Sequence, residues 1–112
     1  MKEVLIDYLI KNCRGYENRQ KAYQLMKVVN IQDHKTFRAL IEEIRQDENE
    51  IFICSEAGRL GGYYIPTEYE EVQDTLNHLY KRSMEMLKTY SILKNKCLRH
   101  GIEGVNNDSI IQ

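Results

Sequence analysis

Proline occurs once in the 112 residues, at Pro66, and no stretch is low in complexity or repeats internally. Those absences exclude a proline-rich linker, a disordered low-complexity tract and a solenoid. No apolar run approaches the roughly 20 residues that cross a bilayer, so a transmembrane helix is not expected. Cysteine is sparse and odd in number (Cys13, Cys54 and Cys97), at wide spacing and with no basic, apolar leader before it, so the expectation is a cytoplasmic chain with reduced thiols. The net charge is only −1, which removes the strong basic signature that by itself announces a nucleic-acid partner. Catalytic motifs are missing too. His34, His78 and His100 fall on separate segments, with no serine or cysteine spaced as a nucleophile beside them. Gly58 to Gly62 is followed by no Gly-Lys-Ser/Thr, so it is not a phosphate loop. Cys97 and His100 lack further metal partners. The expectation is a protein that is not an enzyme, with no cofactor and no metal.

Hydrophobic residues at 42% and charged residues at 29% match a folded globular domain of ordinary composition. The first segment, Glu3 to Lys11, is apolar around most of a helix through Val4, Leu5, Ile6, Tyr8, Leu9 and Ile10, which asks for more than one packing neighbour. Gly15 stops it. Asn18 is a suitable N-cap for a second helix, Arg19 to Val29, whose Ala22, Leu25, Met26 and Val29 follow the i, i+3, i+4, i+7 spacing. After Asn30-Ile31-Gln32, Asp33 caps a third helix with Phe37, Leu40, Ile41 and Ile44 on its inner face. Ile51 to Ser55 and Tyr63 to Pro66 flank the glycine-rich Glu56 to Gly62, the pattern of a β-hairpin with a long tip closed by proline at an edge.

The last helix begins with Thr67 as N-cap and Glu70 three residues on, a capping box. Tyr69, Val72, Leu76, Leu79, Ser83, Met86, Tyr90, Leu93 and Cys97 then alternate three and four apart, and Tyr80, Met84, Leu87 and Leu98 widen that stripe. A rod of about 45 Å is longer than so small a domain covers, so a homodimer through Val72, Leu76, Leu79, Met86, Tyr90 and Leu93 is expected, the alternative being a helix folded back or bent over its own domain. The domains are accordingly 1–66, then a dimerisation helix over 67–98, then a loose tail over 99–112.

The segment from Asn18 to Pro66, ending Cys-Ser-Glu-Ala-Gly-Arg-Leu-Gly-Gly-Tyr-Tyr-Ile-Pro, resembles the winged helix-turn-helix domains of bacterial and bacteriophage proteins. The fold class implied is α+β and mostly α: three helices plus a β-hairpin wing, followed by the long C-terminal helix. The resemblance implies a dimeric, sequence-specific protein of double-stranded DNA, a transcriptional regulator or a replication or maintenance factor of a phage or mobile element. In such domains the third helix lies in the major groove. Here its outer face carries Lys35, Ala39, Glu42 and Gln46, with Arg38 beside them. Lys35 and Arg38 suit phosphate or guanine, Gln46 suits adenine, small Ala39 permits close approach, and Glu42 fits only against a cytosine amino group. Asn18, Arg19 and Lys21 are expected on the DNA backbone, and Arg59 at the wing tip in the minor groove.

Charge is segregated along the chain. From Lys11 to Arg38 seven basic residues face two acidic ones, a balance of +5; from Glu42 to Asp74 two bases face ten acids, a balance of −8. The basic stretch holds the parts that approach phosphate in helix-turn-helix docking. The acidic block supports an alternative, a winged-helix interaction module that binds a host or phage protein without reading DNA.

Overall fold

The computed structural model describes residues 1–102; of the expected 99–112 tail, residues 103–112 lie outside the described residues. Two compact units divide the chain, Met1–Leu76 and Asn77–Gln112. The order is α1 (Lys2–Asn12), a 3-10 turn (Tyr16–Asn18), α2 (Ala22–Val28), α3 (His34–Gln46), β1 (Cys54–Glu56), β2 (Gly62–Tyr64) and α4 (Tyr69–Arg99). The fold is mostly helical with one small antiparallel hairpin and a long C-terminal helix, which agrees with an α+β class. No helix among the described residues is long and apolar enough to cross a membrane.

The first unit is built around the inner face of α3. Phe37, Leu40, Ile41 and Ile44 are all buried, as their spacing requires, and they share one core with Leu5, Ile6 and Leu9 of α1 and Leu25 and Met26 of α2. Ile53 and Ile65 at the base of the hairpin close it. The Phe37 ring meets Tyr63 edge-on at 5.6 Å, so α3 and β2 are locked by an aromatic pair. Of the six apolar residues of α1 only Val4 stays exposed, at 52%; Leu5, Ile6 and Leu9 are buried, and Tyr8 and Ile10 pack half-buried against the same core.

Asn18 does not cap α2. It sits in the 3-10 turn, where its amide donates to the Arg14 carbonyl at 2.8 Å, and α2 starts at Ala22 instead of Arg19. The reason lies in the hairpin. Arg19 to Lys21 stay extended so that Gln20 pairs antiparallel with Tyr63 through both backbone bonds, 3.0 and 2.8 Å. Two tertiary backbone bonds outweigh one side-chain cap. The Lys21 N–H is then taken by the Gln24 side chain at 2.9 Å. Further back, the Gly15 N–H donates to Ile65 O at 2.7 Å and the Ile65 N–H to Cys13 O at 2.7 Å. Gly15 stands at φ +81, the left-handed region that glycine enters at no steric cost.

The hairpin is shorter in its paired part than the sequence suggests. Cys54 pairs with Tyr64, Ser55 with Tyr63 and Glu56 with Gly62, so the first strand runs over 54–56 and the tip is 57–61. Ile51, Phe52 and Ile53 stay out of the ladder. Arg45, in the last turn of α3, donates Nε and Nη2 to the Ile53 carbonyl at 3.2 and 2.8 Å, and Nη2 also reaches Ser55 Oγ at 2.9 Å. A guanidinium therefore holds the carbonyl at the entry to β1.

α4 is capped by a different carboxylate from the one its sequence points to. The helix opens at Tyr69, and Glu71, not Glu70, reaches back: Oε1 accepts from the N–H groups of Thr67 (2.8 Å) and Glu68 (3.2 Å). Its other oxygen accepts the Tyr16 N–H at 2.7 Å. That added donor, 55 residues away in sequence, selects Glu71.

Candidate nucleic-acid interface

α3 presents two opposite faces. Its start is fixed by Asp33, whose carboxylate accepts from the Thr36 N–H at 2.8 Å and the Thr36 hydroxyl at 2.7 Å. The Thr36 hydroxyl, and after it the Thr36 N–H, hold that carboxyl below its ordinary pKa. Once the helix is phased by its buried side, Lys35, Arg38, Ala39, Glu42 and Gln46 all emerge as exposed. Ala39 lines a shallow depression with Met1, Lys2, Glu3, Ile31, Thr36, Leu40 and Glu43. Lys35 and Arg38 form no ion pair among the described residues. Glu42 lies 3.9 Å from Arg45 Nη1, a pair at the limit of contact between an exposed carboxylate and a half-buried guanidinium, and it contributes little.

The residues expected on the DNA backbone divide. Lys21 is half-buried, and its backbone, not its ammonium, makes the recorded bond. Arg19 is engaged within the protein. Its guanidinium lies 3.9 Å above the Tyr16 ring, Nη1 donates to Tyr16 O at 2.9 Å and Nε to Leu60 O at 2.7 Å. It is a strap from the 3-10 turn to the hairpin tip. The Tyr16 hydroxyl completes the brace by donating to Glu56 Oε1 at 3.1 Å, and that carboxylate pushes the phenol pKa up. Tyr16 also meets Tyr64 edge-on at 5.6 Å.

The hairpin is thus held at several points. Gly62 packs against the backbone of Gln20 so closely that a Cβ would come within 2.7 Å of Gln20 O, and a Cβ on Gly61 would come within 1.8 Å of Glu56 O. The tip is closed by Gly61 N–H to Gly58 O at 3.1 Å. What it offers outward is Arg59, exposed, beside Leu60, which is 73% exposed.

α4 carries the stripe expected to dimerise. Leu76, Leu79, Met86 and Leu93 are between 39% and 71% exposed, while Val72 and Tyr90 are half-buried. Tyr80, Met84, Leu87 and Leu98 are exposed as well. An apolar row of this length facing water is unusual for a helix without a partner.

Cys13 and Cys54 are buried, and burial pushes both thiols up, away from the reactive thiolate. Cys54 donates its thiol to Glu71 O at 3.6 Å. No group of three or more His, Cys, Asp or Glu side chains able to hold a metal occurs among the described residues. Four residues that organise the interface were missed from the sequence: Tyr16, Gln20, Arg45 and Glu71. Only Arg45 had a local signal, as the sole base in the acidic stretch before the hairpin. No protein-family model matches the chain, and no curated protein or solved structure matches it either.

Proposed function

We propose that the chain is a winged helix-turn-helix protein that binds double-stranded DNA as a homodimer, with α3 as the reading helix, the β1–β2 hairpin as the wing and α4 as the dimer contact. It carries no catalytic step. The observation that carries the reading is the outer face of α3: two exposed cations with no ion pair among the described residues, Lys35 and Arg38, stand beside the exposed Ala39, with Gln46 two turns further on. A helix that exposes two cations beside a small side chain suits entry into a major groove about 12 Å wide. The wing supports the same reading, because Arg59 stands on a tip whose backbone is tied to Arg19. A preset arginine at a hairpin tip suits a narrow, electronegative minor groove. In this reading the protein regulates transcription, or serves replication or maintenance of a mobile element, through that contact.

Glu42 and Glu43 are both exposed on α3, and they favour the second reading, a module that takes a basic protein partner. The two separate in one experiment. Fluorescence anisotropy with a pool of random duplexes at low salt should show binding that falls steeply as salt rises. Lys35→Ala and Arg38→Ala should each weaken it and flatten the salt slope by about one unit. Selection from that pool should return two half-sites about one helical turn apart. Failure to retain any duplex at low salt refutes the DNA reading.

A further inference from the structure

α4 runs unbroken from Tyr69 to Arg99, and its charge changes sign along its length. Its first six residues include Glu70, Glu71 and Asp74 and no base. From Asn77 to Arg99 six bases (Lys81, Arg82, Lys88, Lys94, Lys96 and Arg99) face the single acid Glu85. Two such helices laid parallel and in register would bring the two basic halves side by side, with their dipoles aligned. Laid antiparallel, each basic end would run beside the other copy's acidic start, with the dipoles opposed.

The apolar row points the same way by shape. In a parallel, in-register pair Ser83 meets Ser83, Tyr90 meets Tyr90 and Cys97 meets Cys97, so layers with too little volume alternate with crowded ones. In an antiparallel pair crossing between Ser83 and Met86, Ser83 stands opposite Met86, Leu79 opposite Tyr90, and Leu76 opposite Leu93. Every small residue then has a large one across from it, as close packing requires. The same register brings exposed Asp74 level with the stretch holding Lys94 and Lys96, and exposed Glu70 level with Arg99.

From the charge reversal and the size alternation together, we infer that the partner on this face is a second copy of the chain, bound antiparallel through Leu76 to Leu93. The inference rests on the homodimer of the proposed function and adds its direction and register.

Cysteine cross-linking reads the direction. Cys97 is the one cysteine of the chain that is not buried, and it stands on the row. Mild oxidation of the intact wild-type protein should leave it without a covalent dimer, because Cys97 faces Val72 in the antiparallel register. In a Cys97→Ser background, Leu76→Cys combined with Leu93→Cys should shift the bulk of the protein to doubled mass on a non-reducing gel, while either substitution alone should not. Leu79→Cys combined with Tyr90→Cys gives a second pair, should the first disturb the helix. Covalent dimer from the wild type, or from a single substitution, would mean a parallel pair and overturn the inference while leaving the homodimer intact. A monomeric mass by light scattering at micromolar concentration would remove the homodimer itself, and the direction with it. Neither outcome bears on duplex binding, which anisotropy measures separately.

Discussion

Glu71 is the residue whose removal the structure prices most directly. One carboxylate accepts three backbone N–H groups, from Tyr16, Thr67 and Glu68, at 2.7, 2.8 and 3.2 Å. The Tyr16 donor is part-buried and has no other recorded acceptor, so Glu71→Ala leaves it unmatched, at about 1.5–3 kcal/mol for a bond to a charged group. Thr67 and Glu68 are exposed and water can replace the carboxylate there, so losing the cap adds about 0.5–1 kcal/mol. The total is about 2–4 kcal/mol, which in a unit the size of Met1–Leu76 lowers Tm by on the order of 10–20 °C. The assay is urea denaturation at one fixed protein concentration, since a dimer's apparent stability depends on it; the midpoint should fall and the slope should hold. Glu71→Gln should fall between, because one oxygen still serves the helix start while its NH2 now faces the Tyr16 N–H. The pH dependence carries the sign. Burial raises the Glu71 pKa, but the Thr67, Tyr16 and Glu68 N–H groups outweigh it and the net shift is downward. A depressed folded pKa means that the stabilisation is complete above the ordinary glutamate value and is lost as pH falls through the lower folded value. Wild type and Glu71→Ala should therefore converge in acid. A difference under about 0.5 kcal/mol at pH 7, or one that persists undiminished in acid, would refute the account.

Two further perturbations test the hairpin. Arg19→Ala should speed amide hydrogen exchange at 58–61 by removing the bond to Leu60 O and the stack on Tyr16, and Arg19→Lys should not restore it, because an ammonium lacks the planar fork. The same variant should leave the salt slope of duplex binding unchanged, unlike Lys35→Ala; a slope that drops by about one unit would return Arg19 to the phosphate backbone. Gly62→Ala should destabilise the first unit by about 2 kcal/mol or more, since its Cβ would meet Gln20 O at 2.7 Å, whereas Gly58→Ala meets nothing within 4 Å and suffers only from its φ of +100. Equal denaturation midpoints for the two glycine variants would contradict that contrast.

What was legible in the sequence is what is local. The buried face of α3 follows from a spacing of three and four over a few turns, and Asp33 caps it because the donor it serves is three residues away. The exposed face, and with it Lys35, Arg38 and Gln46, comes as the complement of the buried one. Each error has the opposite character. Asn18 is as good a cap as Asp33 by composition, yet the segment after it is drawn into a pairing with Tyr63, 43 residues on, and the helix start moves to suit. Glu70 has the right offset from Thr67, but the carboxylate one position later also reaches Tyr16, and one side chain satisfying donors from two segments is favoured over one serving a single turn. Arg19 sits in a basic run and looks like a phosphate ligand until Tyr16 and Leu60 are seen around it. These three displacements share one cause: the hairpin and the first turn of α4 that follows it fold back onto the link between α1 and α2, and backbone groups there take whichever partner these segments bring. The hairpin therefore has a second consequence beyond its own tip. By holding Arg19 it removes a cation from the surface next to α2, so the weight of any duplex contact shifts onto Lys35 and Arg38 of α3 and Arg59 of the tip, and binding should depend on those three more steeply than the basic balance of the whole segment suggests.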